Sequence, residues 1–96
     1  MRMVDLNMVA LLAAIAAVET GNDASKVGAK GEISQYQISR AVWRKHSPKV
    51  AYTKKQAPWI ATAVATKHIR YLNGQLDPTI RNRPYWIAVA WNGGLG

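Results

Sequence analysis

An unbroken apolar run from Met8 to Val18 ends on one carboxylate, Glu19, and Gly21 follows two residues later. This junction constrains the chain more than any other stretch. The run is too short to span a membrane. Read as a helix from about Leu6 to Glu19, it places Leu6, Val9, Leu12, Ala13 and Ala16 on one stripe. Asp5 is the expected N-cap and Gly21 the expected stop. The alanines at 10, 13, 14, 16 and 17 let neighbouring helices approach closely. Glu19 then stands where an apolar helix meets solvent. Half-burial there makes a carboxylate harder to ionise, which suits a general acid. The simpler reading is the first solvated residue after a buried helix.

The remaining organisation follows from caps and breakers. Residues 21–31 are rich in Gly, Asn, Asp and Ser and read as a loop. Residues 32–38 alternate weakly and predict a short strand or hairpin edge. Ser39 is placed to cap a short helix through His46, with Ala41, Val42 and Trp43 inward, and Ser47-Pro48 ends it. Thr53 and Gln56 have capping-box spacing ahead of a helix running to about Asn73, with Gly74 as its stop. Its expected inner face is Ile60, Ala61, Val64, Ala65, His68 and Leu72. A last helix, Tyr85 to Asn92, is capped by Asn82 or Arg83 and ends in Gly93-Gly94. No repeat, linker or low-complexity tract interrupts the chain. Its 96 residues form one domain, residues 1–96.

Three separated blocks carry a resemblance. Glu19-Thr20-Gly21, then Gly31 with Tyr36-Gln37-Ile38, then Ala90-Trp91-Asn92-Gly93-Gly94 resemble the lytic transglycosylase and goose-type lysozyme-like family of the lysozyme superfamily. That family has Glu-Ser-Gly, Gly-Leu-Met-Gln-Ile and Ala-Tyr-Asn-Ala-Gly blocks in the same order, and the spacing from Glu19 to Gln37 fits without a gap. The resemblance covers about Leu6 to Gly94. It implies a mostly α, α+β lysozyme-like fold with a short β-hairpin or turn near the active site. It also implies cleavage of the β-1,4 bond between N-acetylmuramic acid and N-acetylglucosamine in peptidoglycan. Glu19 becomes the acid that protonates the glycosidic oxygen, then the base on the sugar's C6 hydroxyl. Thr20, Tyr36, Gln37, Trp91 and Asn92 become substrate-binding residues. The chain departs from the pattern at Thr20 (for Ser), Ser34 (for Gly), Gln35-Tyr36 (for Leu-Met) and Trp91 (for Tyr). It stops at Gly96, where the family continues, which leaves a C-terminally truncated domain open.

Glycoside cleavage commonly uses a second carboxylate, and only five acids are present. Asp5 caps a helix, Asp77 precedes a proline and Asp23 suits an Asx-type turn. Glu32 remains as a possible second acid, or as a solvated edge. Scarcity of acids favours the one-Glu route, with hydrolysis by a muramidase as the alternative. Gln37 either reads acetamido and hydroxyl groups or satisfies its own turn. Tyr36 is groove wall or core. His46 and His68 read as a surface residue and the border of a helix face. With no cysteine, no His-x-x-x-His and no acid cluster, neither a metal nor another cofactor is expected.

A net charge of +8 favours polyanions. The resemblance points to peptidoglycan strands and anionic envelope polymers in the periplasm or outside the cell. Arg2 and the apolar run imitate a signal peptide, but Asp5 opposes that, and cleavage after Ala17 would leave Glu19 at a frayed end. Export then needs another route or a removed leader. Two other readings stay open. One is a glycan-binding relative without catalysis. The other is a basic nucleic-acid module using Lys54, Lys55, Lys67 and Arg70 on one helix and Arg40, Arg44, Lys45 and Lys49 near another. Against the second, no helix-turn-helix or stacking motif is present. The sequence carries no signal for oligomeric state.

Overall fold

The computed structural model of the chain describes residues 7–93. Four helices order the fold: α1 (Met8–Thr20), α2 (Arg40–His46), α3 (Pro58–Gln75) and α4 (Pro84–Gly93). Helix α3 is the hub and touches each of the other three. Its Ala61, Val64, Ala65, Ile69 and Leu72 are buried. This small-and-branched face lets the neighbours approach closely. One apolar cluster joins Leu11, Ile15, Ile38, Trp43, Val64, Ile69 and Ile87 from all four helices and the 33–38 turn.

Helix α1 begins at Met8, two residues later than expected. Asn7 caps it, accepting from the Ala10 N–H at 3.1 Å. Asp5 and Leu6, part of the expected start, lie outside the described residues, as does Gly94 at the far end of α4. Gly21 closes α1 in the left-handed region at φ 66°. Its N–H reaches Ala17 O and the Asn22 N–H reaches Ala16 O, both at 3.0 Å, a Schellman-type ending. The buried stripe is Leu11, Leu12, Ile15 and Ala16. Val9 is 79% exposed and Ala13 is exposed too, so the expected stripe is corrected by rotation. A helix apolar all round offers no polar face to mark its outside.

The expected α+β fold is overturned: among the described residues there is no strand, and residues 32–38 form no hairpin. Two isolated bridges, Val27 to Ile33 and Ile33 to Ile38, are the only extended pairings there. Ile33 and Ile38 exchange both backbone bonds, at 3.1 and 2.8 Å. Between them Ser34 and Gln37 take positive φ, 79° and 54°, which curls the chain and ends the ladder after one pair. Past Ile38 the chain leaves at once, because Ser39 accepts from Val42 N–H at 3.3 Å and caps α2. In α2 Trp43 is buried but Ala41 is exposed, against expectation.

Helix α3 starts at Pro58, its first-turn proline. The Thr53–Gln56 pair instead closes a separate turn, with Gln56 N–H on Thr53 O at 3.1 Å. Gly74 does not stop the helix, which runs to Gln75. Arg81 serves the end instead, its Nε donating to Leu76 O at 2.9 Å and a terminal nitrogen to Gly74 O at 3.1 Å. The Asn73 and Asn82 amides clasp across the same joint: Asn82 N–H donates to Asn73 Oδ1 at 2.7 Å and Asn73 Nδ2 to Asn82 Oδ1 at 2.8 Å. Among the described residues no helix is long and apolar enough to cross a membrane.

Candidate functional site

Glu19 sits in the last turn of α1, half-buried. It borders two hollows at once. One is an open polar pocket of about 270 Å³, whose walls include Glu19, Glu32, Gln37, His68, Trp91 and Asn92. The other is an apolar groove of about 130 Å³ between α1 and α4, walled by Leu11, Ile15, Val18, Ala88 and Trp91. Partial burial between the two explains the carboxyl's behaviour. Burial holds its pKa above the ordinary value, and the nearby Glu32 charge adds to that.

Residues from three distant blocks therefore meet around one space. Glu19 comes from α1, Glu32 and Gln37 from the central turn, and Trp91 and Asn92 from the end of α4. Thr20 and Tyr36 stand elsewhere. The Thr20 hydroxyl donates to Gln35 O at 2.9 Å and accepts from Asp23 N–H at 2.9 Å, which staples α1 to the central turn. Tyr36 is buried, with its hydroxyl 2.8 Å from that of Thr62. Neither borders the pocket. Their work is to set where Glu19 and Gln37 lie.

Gln37 spends its amide nitrogen on Lys26 O at 3.1 Å and Ser34 O at 2.9 Å. Only its Oε1 is left for a ligand. Glu32 Oε1 accepts from Lys30 N–H at 2.7 Å, so this carboxylate is held by its own turn. Tyr52 closes the turn from below, its hydroxyl contacting Gly31 O at 2.9 Å and Ile38 O at 2.8 Å. Asp23 and Asp77 each bind a hydroxyl and an N–H two residues on, at 2.6–2.9 Å, as Asx turns.

Gly28 lies directly under this wall. A Cβ there would collide with Gln37 Oε1 and come within 2.9 Å of Glu32 Oε1. Both side chains are already tied to backbone, so relief means breaking one of those bonds. Gly28→Ala is therefore expected to cost about 1–2 kcal/mol. A thermal melt reads this as a fall of roughly 4–8 °C per kcal/mol. An unchanged melting temperature would show that the wall yields freely.

The residue that sequence reasoning missed is His68. It was placed on the edge of a helix face, yet it forms part of the pocket wall. Its partner, His46, is 22 residues away, with Nε2 2.9 Å from His68 Nδ1. No short-range spacing announces such a pair. The one available signal was that the chain has two histidines in all. Among the described residues no group of three or more His, Cys, Asp or Glu side chains is placed to hold a metal ion. No family model, curated protein or solved structure matches the chain.

Proposed function

We propose that this chain cleaves the β-1,4 bond between N-acetylmuramic acid and N-acetylglucosamine in peptidoglycan, with Glu19 as the proton donor. The observation that carries this reading is the meeting of Glu19, Gln37, Trp91 and Asn92 around one open pocket. These residues come from the three blocks on which the family resemblance rests. The raised pKa of Glu19 keeps its acid form to higher pH than an ordinary carboxyl, the direction a proton donor needs.

Trp91 offers an aromatic face to a sugar ring, and Gln37 Oε1 and the Asn92 amide offer groups for acetamide and hydroxyl contacts. In the lytic transglycosylase route the glycosidic oxygen takes the Glu19 proton. The substrate's N-acetyl group assists, and the C6 hydroxyl closes an anhydro ring. A net charge of +8 suits anionic envelope polymers as the surroundings, and a cell-envelope location follows from that substrate.

Mass spectrometry of soluble products from purified sacculi tests the reading. Muropeptides with anhydro ends are expected. Reducing ends would place the chain among hydrolytic muramidases. Binding without any released product would leave a glycan-binding relative and overturn catalysis.

A further inference from the structure

The chain's two histidines meet beside the pocket. Their rings lie 5.0 Å apart at 58°, joined by the 2.9 Å contact between His46 Nε2 and His68 Nδ1. Two ring nitrogens can share one hydrogen, so one must donate and the other accept. The tautomer of either ring thereby sets that of the other. The packing around them fixes the arrangement. The His68 ring meets the edge of Trp91 at 5.5 Å and stacks on Tyr71 at 6.1 Å and 13°.

The second nitrogen of His68, Nε2, has no hydrogen-bond partner among the described residues. It is not sealed either: Gln35 Oε1 is the one buried side-chain polar atom left unsatisfied there. His68 itself borders the Glu19 pocket, and Nε2 is the ring nitrogen it has left for a proton.

The charges around the pair favour neutral rings. From α2 and α3 come Lys45, with Nζ 3.2 Å from the centre of the Tyr71 ring, and Lys67, whose Nζ donates to His46 O at 3.2 Å. Tyr71 is the remaining titratable neighbour, α4 adds the uncharged Trp91, and Glu19 and Glu32 border the same pocket from α1 and the turn. Burial, then His46 and Lys45, push His68 down to about 4. Burial, then Lys45 and Lys67, lower His46. Glu19 is moved the other way. One group is made to hold its proton and the other to stay without an extra one, the pattern that separates acid from base in a shared site.

We propose that His68 is the general base of this pocket, taking the proton of an O–H nucleophile while Glu19 protonates the leaving oxygen, with His46 as the positioning residue that passes the proton on to solvent. The inference rests on the glycan-cleavage reading above. It replaces the second use of Glu19 with a separate group. The protons balance. Glu19 gives its proton to the glycosidic oxygen as that bond to the sugar carbon breaks. The nucleophile oxygen bonds to the same carbon and loses its proton to His68 Nε2. His68 hands the proton on Nδ1 to His46 Nε2, and His46 releases the one on Nδ1 to solvent. Both rings end neutral with exchanged tautomers. Loss of the His68 Nε2 proton to solvent and regain of one at His46 Nδ1, with the shared hydrogen passing back to His68 Nδ1, restore the starting pair. Glu19 recovers a proton from water. The nucleophile is water or the sugar's own C6 hydroxyl. The base does the same work for either, and reducing or anhydro product ends tell them apart.

The test is the pH profile of kcat/KM on purified peptidoglycan for the full chain and three variants, each checked for fold by circular dichroism. His68→Gln is expected to lose about 10²-fold or more in turnover. His46→Gln keeps a hydrogen-bond acceptor, its Oε1, for His68 Nδ1–H but cannot relay a proton. It is expected to lose less, about 10-fold, below the roughly 10²–10⁴-fold of a group that takes the proton directly. Lys45→Gln, outside the catalytic machinery, relieves part of the charge that depresses His68. Its plateau is expected to stay while the acid limb moves to higher pH. A purely structural His pair would leave that limb in place. Should His68→Gln fail to fold, the Lys45→Gln shift decides alone. A parent that releases product, with a fully active His68→Gln or an unmoved limb in Lys45→Gln, overturns the inference and spares the glycan-cleavage reading. A parent that releases no product overturns both.

Discussion

Glu19→Gln is expected to lower turnover on peptidoglycan by at least about 10²-fold, the lower end of what a positioned proton donor contributes, and to leave glycan binding in place. Gln keeps the shape and a hydrogen-bond donor but has no proton to give. The same change raises stability at neutral pH. The sign follows from the direction of the shift: folding holds the Glu19 pKa above 4.5. The stabilisation linked to that shift is fully present below 4.5 and is lost as pH rises through the folded value. Gln carries no charge at any pH, so the variant's advantage appears at neutral pH and closes as pH falls toward 4.5. Paired rate and melting measurements at pH 7 and pH 4.5 check both effects. A variant as active as its parent removes Glu19 from the chemistry. A variant less stable than its parent at pH 7 contradicts the burial account. Glu32→Gln should move the acid's pKa down, because the Glu32 charge is one of the two causes holding it up.

Trp43→Ala is expected to remove most of the fold's stability. Trp43 is 1% exposed, its indole nitrogen donates to Val50 O at 3.0 Å, and its ring meets Tyr52 edge-on at 5.6 Å. Large-to-small changes at such positions cost about 3–5 kcal/mol. A domain of this size without disulfides holds only about 5–15 kcal/mol in total, and small cores fall toward the low end. The loss also frees Tyr52, which braces the central turn through Gly31 O and Ile38 O. Urea unfolding reads the effect as a large drop in midpoint. Trp59→Ala is the control: Trp59 is 72% exposed, so a change within about 0.5 kcal/mol is expected. Equal losses for the two tryptophans would refute the assignment of Trp43 to the core.

Two helix ends were legible at single residues of the sequence. Ser39 caps α2 where its hydroxyl implied, and Gly21 closes α1. The rotation of α1 was not, since leucine, isoleucine, valine and alanine surround the whole helix and give periodicity nothing to grip. Thr53 and Gln56 mimic a helix start, yet Pro58 sets it. Residues 32–38 mimic a strand by alternation, and the positive φ at Ser34 and Gln37 is invisible in residues with no special claim to that region. In the candidate site, Glu19, Glu32, Gln37, Trp91 and Asn92 were named from the sequence, and the structure brings them to one pocket. Thr20 and Tyr36 turn inward because their hydroxyls find partners across the fold. Recognition of His68 required the 22-residue approach of His46, which no local pattern carries.

The joint between α3 and α4 has a consequence for how the domain breathes. Connections without regular structure usually open first, at small free-energy cost. This one has its polar groups occupied internally, through the Asn73–Asn82 clasp, the two Arg81 bonds and the Asp77–Thr79 pair. It therefore opens together with the helices it connects, as one cooperative unit. Across the pocket, the Thr20 bond to Gln35 joins α1 to the central turn in the same way. His68 packed on Trp91 and Glu19 tied beside Gln37 through Thr20 and Gln35 are then expected to move as two pairs, with the gap between them as the pocket's softest dimension.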